Sequence, residues 1–311
     1  MTKSFLYGTA ASFALAGAAI AEVPSVSADI PPIYSLVAQV MEGVGTPNLI
    51  VRLRASPHGY ALHPSKAESS QNADIVFWVS EGLTPWLAES IDALSHNGQS
   101  VELLEVAGTT ELPFREGATF DAHDHGTEEL DEHEEEGHDA HGHDPHAWLD
   151  PENARVWLDV IAADLSALDP ENAETYAANA AAGKAELANL ITEINTDLDA
   201  FRGTNFIVFH DAYQHFENRF NFSPAGAIKL GDASDASPAR IAEIRDTVVD
   251  LGISCAFTEP QFNAGLVESV FAGTTAVTGT LDPLGAELQL GPDLYPQFLR
   301  NLASNLTACL E

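Results

Sequence analysis

Residues 169–202 read DPENAETYAANAAAGKAELANLITEINTDLDAFR, and the reading of this stretch decides the fold. Asp169 is placed to cap a helix, and Pro170 to fill its first position, where a missing N–H costs nothing. Apolar residues then recur at Leu187, Leu190, Ile191, Ile194, Leu198 and Phe201, the 3.6-residue period of one buried helical face. A helix from Glu171 to Arg202 would reach about 48 Å, longer than one small lobe needs. The pattern predicts one long rigid helix over 169–202, joining an N-terminal lobe (22–168) to a C-terminal lobe (203–311). The same Asp-Pro-Glu-Asn-Ala start appears at Asp150–Ala154, and two helix starts of similar chemistry account for it without an internal repeat.

On both sides of this helix lie short runs rich in Val, Ile and Phe: Asn48–Leu53, Ala73–Val79, Ser100–Val106, Asn205–Phe209, Ile253–Thr258 and Thr274–Thr280. Their continuous apolarity suits strands buried on both faces of a parallel sheet. Amphipathic helical patterns at Pro31–Met41, Ala239–Leu251 and Ala264–Phe271 alternate with them. The expected class is α/β, with two lobes that each hold a mainly parallel sheet flanked by helices.

The chain opens with Lys3, an apolar run from Phe5 to Ile20 and the small-residue pattern Ala19-Ile20-Ala21. That order reads as a secretory signal peptide over 1–21, because the run falls short of the roughly 20 residues that span a bilayer. With no cysteine near the cleavage point, the mature protein is expected to be soluble, in the periplasm. The only two cysteines, Cys255 and Cys309, are expected to form a disulfide in an exported chain. A net charge of −34 excludes nucleic acid as a partner. Eleven acids fall between Asp121 and Asp144, yet removing those eleven from −34 still leaves −23. Acidity therefore belongs to the whole surface and says little about function.

Twelve histidines require sorting. His123, His125, His133, His138, His141 and His143 lie in the acidic tract 121–144, which has too few apolar residues to fold and reads as a mobile loop with weak secondary metal sites. His146 follows that tract but precedes apolar Trp148 and Leu149 and the helix start at Asp150-Pro151. His210 ends the apolar run Asn205–Phe209, and His58 lies in the turn after Asn48–Leu53. Strand ends are where α/β folds place ligands, and an imidazole-rich, four-coordinate site suits zinc. Asp282, after the run ending at Thr280, is the candidate fourth ligand; a helix cap ahead of Pro283 is its other reading, and a water or a histidine of the acidic tract are the other candidates for the fourth position. Glu259 also ends a strand run and is a candidate to orient a ligand histidine. His63, His96 and His215 read as ordinary histidines.

Four blocks appear in order: Pro57-His58-Gly59-Tyr60-Ala61-Leu62, then Asp144-Pro145-His146-Ala147-Trp148-Leu149-Asp150-Pro151, then Phe209-His210-Asp211-Ala212-Tyr213, then Gly279-Thr280-Leu281-Asp282-Pro283-Leu284-Gly285. Together they resemble the zinc-specific solute-binding proteins of bacterial ABC transporters, the ZnuA-like group, over essentially the whole mature chain. The resemblance implies two α/β lobes joined by a long helix, with metal in the cleft and His58, His146 and His210 as its ligands. It implies zinc as the transported ligand, the membrane permease of a zinc ABC importer as partner, exchange with a periplasmic zinc chaperone, and a monomeric state. Manganese-binding relatives carry a Glu where this chain has His210, so a manganese protein of the same family is the nearer alternative. Some zinc-specific members place a Glu just before the first histidine; here that place is Pro57, which cannot ligate through its side chain. A zinc buffer acting through the acidic tract is a further alternative. No His-Glu-x-x-His motif is present, and the expected role is not enzymatic.

Overall fold

The computed structural model describes residues 23–60, 72–94, 98–115, 119–120, 142–229, 237–262, 265–274 and 276–311. The signal-peptide reading, His63, His96 and the tract residues His123, His125, His133, His138 and His141 lie outside the described residues.

The first sheet comprises β1 (Val26–Ala28), β2 (Asn48–Leu49), β3 (Ile75–Trp78) and β4 (Gln99–Glu102) in the order β2-β1-β3-β4, all parallel. Helices α1 (Pro31–Val40) and α2 (Pro85–Leu94) accompany it. After α3 (Pro151–Leu168) and α4 (Ala173–Leu198) comes a second sheet of β5 (Ile207–His210), β6 (Gly226–Lys229), β7 (Cys255–Thr258) and β8 (Val277–Thr280). Its order, β6-β5-β7-β8, repeats the first, again all parallel. Helices α5 (Gln214–Phe220), α6 (Pro238–Asp250), α7 (Gly265–Phe271) and α8 (Leu294–Leu310) belong to this half. The α/β expectation therefore holds: two parallel sheets flanked by helices, and one long helix. All six expected strand runs overlap a strand, each strand shorter than its run; β4 begins one residue before its run and β5 ends one residue after. β1 and β6 escaped the pattern because they span three and four residues and consist partly of Ala, Ser and Gly.

In both sheets the order in which the chain adds strands reverses at the two central strands, β1/β3 and β5/β7, while every strand stays parallel. Helices leaving such a point on opposite faces open a crevice at the carboxyl ends of the strands.

The long helix is α4, 26 residues or about 39 Å, bounded by short 3₁₀ turns at Pro170–Asn172 and Asp199–Phe201. Its start differs from the expectation. Asp169 makes no side-chain cap; its Oδ2 instead accepts from Asn172 Nδ2 at 2.7 Å and Tyr176 Oη at 2.9 Å. At the matching start of α3, Asp150 does cap, accepting from Glu152 N at 2.8 Å. Nor does α4 stand free. It folds back on α3 as a hairpin, and at Gly183 a Cβ would meet Gln39 Oε1 of α1 at 2.8 Å and Leu158 of α3 at 3.0 Å. Its buried face (Tyr176, Leu187, Leu190, Ile194) joins a core that runs without a break from Val26 to Leu306. α1 and α8 also pack on it, and Ser35 Oγ and Gln39 Nε2 of α1 both donate to Pro292 O ahead of α8. The expected Cys255–Cys309 disulfide ties β7 to α8. Closing a loop of 54 residues stabilises the fold by roughly 4 kcal/mol on the chain-entropy argument.

Candidate metal centre

His210 is the last residue of β5, 3% exposed, and sits at the switch point of the second sheet. Glu259 follows the neighbouring strand β7, and its Oε1 accepts from His210 Nδ1 at 2.7 Å. Glu259 is itself 3% exposed, and its Oε2 has no hydrogen-bond partner among the described residues. A carboxylate facing Nδ1 keeps the ring proton there and leaves the Nε2 lone pair for a metal.

His146 reaches the same place from the other half of the chain. It lies just before the 3₁₀ turn Ala147–Leu149, 5% exposed, with its Nδ1 2.6 Å from Asp144 Oδ1. The indole of Trp148 packs on its ring with centroids 5.3 Å apart. This segment is held mainly by residues beyond α4. Trp148 Nε1 donates to Pro283 O at 2.8 Å, and Tyr295 Oη donates to Trp148 O at 2.7 Å. Arg219 grips Asp150 with two bonds, at 2.7 and 2.8 Å.

His58 is held differently. Its loop follows β2, contains Arg54 at φ +67°, and leaves the imidazole half-buried. Trp86 Nε1 on α2 donates to Pro57 O at 2.8 Å, and its indole packs on Tyr60 with centroids 5.5 Å apart. Arg54 pairs with Glu287 at 2.6 Å, a largely solvated contact of little energy.

These three elements bring ligand atoms of His58, His146 and His210 within 4.8 Å of one another, the one such group among the described residues. His58 Nε2 and His146 Nε2 are 3.3 Å apart. Tetrahedral zinc with nitrogens at 2.0–2.1 Å would separate two of them by about 3.3–3.4 Å. The small cavity they border is otherwise mostly apolar, closed by Pro57, Trp148, Phe262, Pro283 and Leu284.

Asp282 is not part of this group. Its Oδ1 accepts from Gln261 Nε2 at 3.0 Å and Leu284 N at 3.1 Å, and its Oδ2 from Ala286 N at 2.5 Å. The carboxylate thus closes the turn after Asp282; no helix starts at Pro283, so it is not the helix cap that the sequence offered as an alternative. His215, read as an ordinary histidine, is wholly buried on α5, where Nε2 donates to Asp144 O at 3.1 Å; burial holds it below the ordinary histidine range. Within the tract, His143 is exposed and pairs with Glu111 at 3.0 Å, whereas Asp144 is 2% exposed. Burial alone would push the Asp144 carboxyl up, but His146 and His215 together hold it below the ordinary carboxylate range.

A buried charge cluster backs the site. Arg115 crosses from the first half to bridge Asp211, the neighbour of His210, and Glu217, which its Nη1 meets at 2.6 Å. Burial pushes Glu217 up to about 7 and raises Asp211 too, against the pull of Arg115.

A sequence profile of the periplasmic zinc-uptake complex component A family matches residues 26–309. The chain belongs to this family. A high-affinity zinc uptake system protein of Brucella suis is 44% identical over 330 aligned positions, spanning 100% of this chain and 97% of the relative. Its Paracoccus denitrificans counterpart is 40% identical over 93% of both chains. The crystal structure of a ZnuA superposes with a TM-score of 0.75 at 22% identity, covering 93% of this chain and 100% of that one, which supports the fold. Among the described residues no helix is long and apolar enough to cross a membrane.

Proposed function

We propose that this protein captures zinc in the periplasm and hands it to the membrane permease of a zinc ABC importer. The observation that carries the reading is the convergence of three imidazoles within 4.8 Å, two of them with Nδ1 tied to a buried carboxylate. Neutral nitrogen donors at this spacing favour zinc over manganese, which prefers an oxygen-rich site. An oxygen donor completes four-coordination: Asp282, once it gives up the Leu284 and Ala286 amides, or a water. The role is capture and release rather than catalysis. The chain acts as a monomer, exported by its segment 1–21, and exchanges metal with a periplasmic zinc chaperone. The tract histidines serve as weak collectors beside the tight site.

The test is a chelator-competition titration of the mature protein with Zn²⁺ and Mn²⁺. One tight zinc per chain is expected, with manganese orders of magnitude weaker. His58→Ala, His146→Ala and His210→Ala should each weaken zinc binding by orders of magnitude. A His210→Ala protein that binds zinc like wild type, or a wild type that prefers manganese, overturns the reading.

A further inference from the structure

We infer that Asp144 is the positioning residue of His146, an inference that rests on the zinc-binding reading above. By composition Asp144 is the last acid of a solvated tract. In the fold it is buried, and a single oxygen, Oδ1, takes both the ring Nδ1 of His146 at 2.6 Å and its main-chain N at 3.0 Å. Two bonds from one residue fix both the position of the His146 backbone and the rotation of its ring. Asp144 is itself held from two sides. Its N donates to Leu112 O at 2.7 Å, and its O accepts from buried His215 on α5 at 3.1 Å. Pro145, next in the chain, disfavours a helical backbone at Asp144.

The chemical consequence is a defined tautomer. With the proton held on Nδ1 by an ionised carboxylate, the Nε2 lone pair points into the cleft toward His58 and His210, and the carboxylate makes that nitrogen a stronger donor. Without Asp144 the buried ring can protonate on Nε2 instead, or rotate, and each such state must be reversed before zinc binds. Removing 121–144 as one block therefore takes a positioning group away with the tract.

The experiment uses the full mature chain with Asp144→Ala and Asp144→Asn. It measures zinc affinity by chelator competition, metal-free melting temperature, and His146 ring nitrogens by ¹⁵N NMR above the histidine range. Asp144→Ala should lower zinc affinity about 10–100-fold. Asp144→Asn should recover most of that, because its carboxamide oxygen still accepts from Nδ1. The His146 ring should carry its proton on Nδ1 in wild type and populate both tautomers in Asp144→Ala. If wild type binds one zinc tightly while Asp144→Ala binds within twofold of it, the inference fails and the function stands. Equal losses in Ala and Asn with the wild-type tautomer retained would reduce Asp144 to a packing role and also sink the inference. Should Asp144→Ala not fold, the wild-type spectrum still decides, since a metal-free His146 protonated on Nε2 overturns the assignment. A wild type without a tight zinc would instead overturn the functional reading.

Discussion

At the switch point of the first sheet, Asp29 follows β1 and turns its carboxylate back on the backbone: Oδ1 accepts from Ile30 N at 2.7 Å and Oδ2 from Val79 N, just after β3, at 2.8 Å. At the matching place in the second sheet, His210 ends β5 and faces Glu259, just after β7. Strand order, direction and switch point are the same in both sheets. In the first, a wholly buried carboxylate plugs the crevice and satisfies the amides that the diverging strands leave open. In the second, a carboxylate spends one oxygen on an imidazole, and the crevice receives a ligand. On the proposed reading the first half contributes its own imidazole, His58, from the loop after edge strand β2, where Trp86 holds the backbone at Pro57. Identical topology creates two equivalent openings, and side-chain chemistry decides which one is able to hold metal.

The strongest way to break this comparison is to remove each carboxylate in turn. Asp29→Ala strands two buried amide donors and should destabilise the metal-free protein by about 2–6 kcal/mol, at 1–3 kcal/mol for each. Chemical denaturation should show the loss, and zinc affinity of the folded protein should stay within a few-fold of wild type. Glu259→Ala should do the reverse, lowering zinc affinity about 10–100-fold with a near-normal melting temperature. If both substitutions act on stability alone, the two switch points are equivalent and the distinction is wrong.

A smaller effect is expected where the His58 loop is pinned. Trp86→Phe keeps the ring against Tyr60 but loses the bond to Pro57 O, worth about 1 kcal/mol, so zinc affinity should fall roughly fivefold. No change in a competition titration would show that the loop holds His58 without this contact.

The smallest effect concerns pH. Burial pushes the Asp29 carboxyl from 3.8 up to about 7, past the opposing pull of the Val79 and Ile30 amides. The folded state then keeps a proton that the unfolded chain releases, so this group's contribution is full below pH 3.8 and is lost as pH rises toward about 7. Asp29→Asn cannot ionise and should show a shallower fall in melting temperature between pH 5 and 7.5 than wild type. Parallel curves for the two proteins would refute the shift.

Much of this architecture was legible from local pattern. The period from Leu187 to Leu198 marks the buried face of α4, and five of its six apolar positions lie on the helix itself. Apolar runs locate six of eight strands, and the three histidines at strand or loop ends are those the fold brings together. Glu259 carried a usable signal, since an acid that ends an apolar strand run is unlike a surface acid. Asp144 carried one that composition hid, because counting it among eleven acids averaged away its place two residues before His146. Trp86 carried none: Pro57 is 29 residues away, and nothing near either residue announces the bond. Asp282 was read from sequence as a ligand or a helix cap, and the Leu284 and Ala286 amides occupy its carboxylate in a turn instead.

By itself, then, the sequence determined where the long helix and most strands form, which cysteines pair and which imidazoles stand at strand or loop ends. Helical period, strand apolarity and proline position all act between residues a few places apart. Tertiary structure alone decided that α4 is packed into a continuous core rather than left as a bare strut. It also decided that the 144–150 segment is gripped by His215, Arg219 and Tyr295, and that one switch point is plugged while the other opens to a ligand. Those outcomes depend on distance, burial and hydrogen-bond geometry between segments as far apart as Ser35 and Pro292, 257 residues, which no local pattern encodes.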